Sequence, residues 1–428
     1  RLEGPVSIMD QTVNGKPIRS RNRLAILFST VAPGIFLIGY NIGTGSVTTM
    51  ASVGARYGMG LTWTLAVSCL ITLTLMLAYG RYTLATGETA VESFRKHIGR
   101  WLALAVIVTL VLSELVSSMG VMGIISSVVY EWTSWFMPGG KGIHPLISAA
   151  VFGAILYWLF WVGRQSFFEK VLALFVAVMG LSFLLSMVMV IPDPWAVAKG
   201  MVPSLPGDSE RGLFTAGMVG TTVAAPLFVI RTILLQERGW GPGEFKLEKR
   251  DAIVSVSIMF LLSTAVMACA AGTFYLRGEV VDKATDMIRL LEPIAGRGAV
   301  GIFVIGIIGA GLSSLFPIYL MGPWLISDYR GTKRQPRSTF YRICVLLAVL
   351  CGFVVPILGK RPVMFMVASQ AFCVLALPLV AGAIIVLYRK VPAAKKLPLG
   401  PWLYAGCAAA FVFSLYISYI ALVGLLNL

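Results

Sequence analysis

Arg231 stands about one turn past Pro226 inside an otherwise apolar run, GMVGTTVAAPLFVIRTILL. A guanidinium at mid-membrane costs ~2.5–3.5 kcal/mol on insertion scales and calls for compensation. A bound anion would supply it; so would pairing with Glu237 or Glu114, or snorkelling to the interface. Glu114, in SELVSSMG, is the clearest carboxylate flanked by apolar residues, able to neutralise an arginine or to carry a proton. A second polar cluster lies in APGIFLIGYNIGTGSVTTM, where Gly39, Gly43 and Gly45 surround Thr44 and Ser46. Each glycine weakens a helix by ~1 kcal/mol, so this run is expected to open into an extended turn. Pro226 removes a ladder hydrogen bond and clashes with the preceding turn, which predicts a second break near Ala224–Pro226. Gly and Pro also serve close helix packing in membranes, and either site alone is open to that reading.

A broken helix offers free N–H groups where its second half starts and free carbonyls where its first half ends. The former attract anions and the latter cations, so neighbouring charge decides. The first break has no carboxylate; its polar groups are Asn41, Thr44, Ser46, Thr48 and Thr49, all neutral. A Gly/Ser/Thr turn opening a helix can cradle an oxyanion. Ser313 and Ser314 in GAGLSSLF can return their hydroxyls to the backbone, whereas Gln370 in VASQAF needs a partner, another helix or a substrate.

These groups must be positioned by membrane helices. Hydrophobic residues make up 57% of the 428 and charged residues 13%, well outside the composition of soluble domains. Apolar stretches of the necessary ~20 residues predict an all-α chain of about eleven spans, at 24–55, 61–86, 101–129, 145–162, 167–191, 212–235, 252–271, 299–326, 340–358, 363–387 and 402–426. The formal charge of +16 does not point to nucleic acid: 23 of the 35 basic residues fall in the N-terminal segment and every second loop, as in cytoplasmic loops. The expected partner is the lipid bilayer, a bacterial inner membrane, with the N-terminus cytoplasmic, the C-terminus outside and the chain a monomer. The six Cys have no metal-ligand spacing, and His97 and His144 fall in loops, so no resident metal, cofactor or enzymatic constellation is expected.

The polar stretch 192–211 separates five spans (24–191) from five more (212–389), between an N-terminal segment (1–23) and a final loop and helix (390–428). Five spans per half place the halves in opposite orientations, the arrangement of inverted-repeat transporters with broken helices at the substrate site. The two breaks fall in the first helix of each half, as that arrangement requires.

GARYGMGLTW with LAYGRYTLATGETAVE, GLSS in the eighth span and ASQAFCVLALPL in the tenth resemble the corresponding segments of Nramp-type metal transporters, in order across spans one to ten. The resemblance implies a LeuT-like 5+5 inverted repeat with alternating access between the first and sixth helices. It also implies that the family's metal-binding Asp-Pro-Gly-Asn sequence falls on Gly43, Thr44, Gly45 and Ser46, its methionine on Ala224, the following Pro-His on Ala225 and Pro226, a second histidine near Arg231, and its paired acids on Glu114 and Ser117. Only one acid persists. The expected substrate-binding set is therefore Asn41, Gly43, Thr44, Gly45, Ser46, Thr222, Ala224, Ala225, Pro226, Arg231 and Gln370. The function expected is secondary transport of a small inorganic anion, bicarbonate foremost, with Mg2+ or Mn2+ transport through a carboxylate-free site as the alternative. Co-transported Na+ or H+ would use Tyr40, Asn41, Glu114, Ser313 or Ser314. A receptor or scaffold that kept the fold is a third class, separable by flux.

Overall fold

The computed structural model describes residues 43–427 apart from 138, 163–164, 191–193, 204–208, 282–285, 288–298, 333 and 360–361. The principal helices are α1 (Thr44–Tyr57), α2 (Thr62–Thr86), α3 (Arg100–Ser134), α4 (Pro145–Val162), α5 (Gln165–Val190), α6 (Ser209–Thr222), α7 (Ala225–Glu237), α8 (Phe245–Thr273), α9 (Ala299–Arg330), α10 (Thr339–Cys351), α11 (Pro362–Cys373), α12 (Leu377–Lys390) and α13 (Pro401–Leu426). Among the described residues nine helical segments are long and apolar enough to cross a bilayer. The helix α5 corresponds to the fifth expected span, and α1 to the second half of the first; residues 24–42 of that span, with Tyr40 and Asn41, lie outside the described residues.

Apolar length makes these helices and small residues end them. Gly87, after α2, adopts φ 76° and returns its N–H to the Thr83 carbonyl at 2.7 Å, the left-handed cap that glycine takes without strain. Burial then sorts the spans. The most apolar window of the α6–α7 segment is 100% buried, against 28% for α13 and 33% for α4. The sixth span therefore runs through the centre, and its polar residues meet protein while α4 and α13 face lipid.

The sixth span is broken. The α6 ladder stops at Thr222, Ala224 is extended (φ −66°, ψ 114°) and α7 starts at Ala225. Pro226 sits in the first turn of α7, where its missing N–H costs nothing, so the discontinuity falls at Val223–Ala224, just upstream of the proline. In the first span Gly43 is extended (φ −92°, ψ −172°) and α1 begins at Thr44.

At the basic end of the bundle, polar contacts tie the helices together. Arg334 reaches Glu237 at the end of α7 (2.6 Å) and Asp328 of α9 (3.1 Å). The Thr89 hydroxyl donates to Asp328 and the Ala90 N–H to the Thr232 hydroxyl. Glu88 accepts from Lys96 and Ser93 and meets His97. Partial burial works to raise Glu88, but those three partners outweigh it and hold the carboxyl below its usual range.

One span boundary is corrected. The sequence places the start of the seventh span at 252, with Arg238–Arg250 as a basic loop; α8 instead begins at Phe245, and Glu248 and Asp251 are helical and fully buried. They are drawn inside by Arg231.

Candidate functional site

The helix α1 starts inside the protein: Thr44 to Ala55 are all buried, and no side chain caps the N-terminus. Its first backbone bond runs from Val47 N–H to the Gly43 carbonyl, which leaves the N–H groups of the first turn without a partner in the helix ladder. Facing it is the end of α6. Of the last carbonyls there, that of Val219 accepts from Val223 N–H and that of Thr222 from the Thr72 hydroxyl. Gly220 and Thr221 remain at the edge of a cavity of ≈ 40 Å³, room for roughly three waters at ~10–15 Å³ each, or one small ion.

Close backbone approach builds the cavity wall. A Cβ at Gly220 would lie 1.9 Å from the Gln370 carbonyl, so α6 presses directly on α11. A Cβ at Gly43 would lie 1.9 Å from Ser314 Oγ, and one at Gly45 2.6 Å from Met366 Cε and 3.0 Å from Gln370 Nε2. The glycines that weaken the first span therefore also admit α9 and α11 to the start of α1. Gln370 donates through Nε2 to Ser117 Oγ at 3.1 Å, which fixes its amide and leaves its carbonyl oxygen as an acceptor. Glu114, 4% exposed, and Ser117 reach the same cavity from α3, and Cys373 from α11.

Of the sequence-derived candidates, Gly43, Gly45, Ser46, Glu114, Ala224, Ser314 and Gln370 meet at this cavity. Others turn away. The Thr44 hydroxyl donates to the Ile307 carbonyl, that of Ser313 to Ala310, and that of Thr222 to Met218; Ser314 also donates to Ala310 but stays on the cavity wall. Ala225 and Pro226 are buried in the first turn of α7 and do not line the cavity. Ser117, Gly220, Thr221 and Cys373 line it from outside the expected binding set; Thr221 sits beside the expected Thr222, and Cys373 lies one turn past Gln370.

Arg231 is the main correction. It is fully buried and does not line the cavity; its guanidinium donates to Glu248 Oε1 through Nε (3.3 Å) and Nη2 (3.0 Å), to the Glu248 carbonyl (3.3 Å) and to Asp251 Oδ2 (3.0 Å). Two carboxylates on α8 already supply the compensation expected of a bound anion. Neither Glu237 nor Glu114 is its partner. Among the described residues, the one formal charge left on the cavity is that of Glu114.

A second cavity, of ≈ 410 Å³, opens at the end opposite the basic loops. Ser52 and Arg56 of α1, Phe214 of α6 and Val363 and Val367 of α11 line it, and Arg56 pairs with Glu210 at 2.7 Å beside it. Along α1, α6 and α11, the residues between the two cavities are Thr49, Gly217 and Val367, packed so closely that a Cβ at Gly217 would lie 3.0 Å from the Val367 carbonyl. The arrangement is a central ion-sized cavity at the α6–α7 break and the buried start of α1, with a vestibule one turn away.

Among the described residues no group of three His, Cys, Asp or Glu could hold a metal ion. Comparison with known proteins gives the lineage. The chain is 27% identical over 353 residues to the "Divalent metal cation transporter MntH" of Acidiphilium cryptum, covering 78% of this chain and 76% of the relative. It is 25% identical over 381 residues to the protein of that name from Verminephrobacter eiseniae, covering 85% and 82%. In fold it is similar to the manganese transporter of Eremococcus coleocola, with a TM-score of 0.73, 14% identity and coverage of 98% and 90%. It is also similar to Mhp1, a nucleobase-cation-symport-1 family transporter, with a TM-score of 0.58, 14% identity and coverage of 93% and 90%. These likenesses bear out the LeuT-like all-helical fold. Residues 34–424 match the model of the natural resistance-associated macrophage protein-like (Nramp) family, and the chain belongs to that family.

Proposed function

We propose that this membrane transporter carries a hard divalent cation, Mg2+ or Mn2+, through the cavity between α1, α6, α3 and α11. The observation that carries this reading is electrostatic. With Arg231 neutralised on α8, the cavity's single formal charge among the described residues is the carboxylate of Glu114, and a buried negative group favours a cation. The other candidate ligands are oxygens: the Gln370 amide, Ser46, Ser117 and Ser314, and the carbonyls at the end of α6. Hard cations take oxygen ligands, and Mg2+ keeps several of its waters, which suits so sparse a set. The relatives' names, divalent metal cation transporter and manganese transporter, support it further. Glu114 is also the group that would carry a coupled proton, and co-transported sodium is the alternative coupling. The concentration of basic residues in those loops supports assigning that end of the bundle to the cytoplasmic side of a bacterial membrane.

A second reading, transport of bicarbonate or another small anion, rests on a specific feature: the uncapped amides at the start of α1 beside a cavity that, among the described residues, has no His/Cys/Asp/Glu cluster. One experiment separates the two. Proteoliposomes are given an inward Mn2+ gradient, then an inward bicarbonate gradient with and without sodium, with a metal-sensitive and a pH-sensitive dye inside. Mn2+ flux that falls at least tenfold in Glu114→Gln, a loss of about 1.4 kcal/mol, upholds the cation reading. Bicarbonate-dependent alkalinisation above protein-free controls, with no Mn2+ flux, replaces it with the anion reading.

A further inference from the structure

At the basic end of the bundle the guanidinium of Arg342, in the first turn of α10, lies 3.6 Å from the centroid of the Trp161 ring near the end of α4. That is well inside the range of a cation–π contact. Arg342 has no carboxylate partner among the described residues, and its Nε is buried without a hydrogen bond. At Gly153 a Cβ would lie 2.9 Å from Val349 Cγ1, so α4 and α10 touch there. About two turns nearer the basic end, the Arg342–Trp161 stack joins the same two helices. The surface running back from that stack is apolar and exposed: Leu346 and Leu350 follow Arg342 at helical spacing, and Trp158 precedes Trp161 by one turn. A cation held on an indole at the membrane interface, above an exposed apolar strip, combines a phosphate ligand with a track for an acyl chain.

We propose that the α4–α10 corner binds one anionic phospholipid, its phosphodiester accepting from Arg342 and its chain lying along Leu346, Leu350 and Trp158. Charge complementarity selects the occupant. A phosphodiester takes hydrogen bonds from a guanidinium edge, and Trp161 occupies the guanidinium face rather than its edge. A zwitterionic lipid brings its own cation to the same place and gains less. The site is independent of the transported ion.

The test is native mass spectrometry of the full chain in detergent, titrated with phosphatidylglycerol or phosphatidylcholine of identical chains. Wild type should retain one phosphatidylglycerol in preference to phosphatidylcholine. Arg342→Gln should weaken that retention about fivefold, the equivalent of ~1 kcal/mol per basic side chain at an anionic surface, and Trp161→Leu should weaken it as well. Arg389→Gln is the control: Arg389 is on α12, bonded to the Tyr404 hydroxyl, and its loss should leave the bound lipid in place. Equal loss in Arg389→Gln and Arg342→Gln would reduce the effect to general surface charge and overturn the site. Displacement of the lipid by millimolar inorganic phosphate would make it a free-anion site and overturn the lipid assignment. Circular dichroism of each variant identifies any that has lost its helices, and the charge-only Arg342→Gln carries the test if Trp161→Leu does not fold.

Discussion

Replacing Arg231 by methionine keeps most of the side-chain volume and removes four hydrogen bonds, three of them to carboxylate oxygens, from a fully buried site. Glu248 and Asp251 would then face each other's charge in the protein interior. At an effective dielectric constant of 20 a pair of unit charges 4 Å apart interacts by about 4 kcal/mol, and breaking buried pairs by removing one partner costs about 3–5 kcal/mol. Against a typical total of about 5–15 kcal/mol that is a large fraction. The triple change Arg231→Met, Glu248→Met, Asp251→Leu removes the charge and the desolvation cost together, so it should recover most of the loss. The assay is thermal unfolding in detergent, followed by fluorescence-detected gel filtration, with ion flux measured on whatever survives. The single variant should melt well below wild type and the triple variant should lie near or above it. Wild-type melting of Arg231→Met together with lost ion binding would refute the reasoning and return Arg231 to the transport site.

Three other perturbations test the geometry. Gly220→Ala places a methyl 1.9 Å from a backbone carbonyl, so it should destabilise by at least the ~1–3 kcal/mol of core overpacking, whereas Gly45→Ala meets the side-chain ends of Met366 and Gln370, of which the Met366 methyl can swing aside, and should fold with reduced flux; thermal unfolding and flux separate the two. Val367→Ala thins the layer between vestibule and cavity, so a membrane-impermeant thiol reagent added on the vestibule side should modify Cys373 faster than in wild type, with Val280→Cys, at an exposed position on the vestibule wall, as the accessible reference; unchanged labelling would mean that Val367 is not the barrier. Glu88 is held low by Lys96, Ser93 and His97, so its contribution to stability is present above the carboxylate's unfolded pKa and is lost as pH falls through the lower folded value; Glu88→Gln should flatten the acid limb of a stability–pH profile, and an unaltered limb would assign it to other carboxylates.

Much of this architecture is legible in residue order because lipid enforces it. Continuous apolar length gives the spans, the ring of Pro226 gives the α6–α7 break, and the glycines around Thr44 mark the place where α1 starts, since these are local effects. The cavity is half legible for the same reason. Gly43, Gly45, Ser46 and Ala224 come from the breaks themselves, but Gly220, Thr221 and Cys373 enter it through helix packing, which depends on how α6 and α11 meet.

The partners of Arg231 are hidden for a more particular reason. Glu237 is near in sequence and Glu114 lies deep in an apolar run, whereas the basic residues of KLEKRD make Glu248 and Asp251 look like part of a solvated loop. The turn between α7 and α8 contains Gly239 and Gly241, and two helices that double back there bring together residues roughly equidistant from it. Arg231 lies nine positions before residue 240, and Glu248 and Asp251 lie eight and eleven after it. Their separation by three places both acids on one face of α8, turned toward α7. A buried arginine therefore selects its partners by the geometry of the helical hairpin, and that symmetry, applied about a glycine turn, identifies them from residue order alone. The consequence reaches the transport site: once the hairpin satisfies its own cation, Glu114 alone among the described residues sets the sign of the cavity.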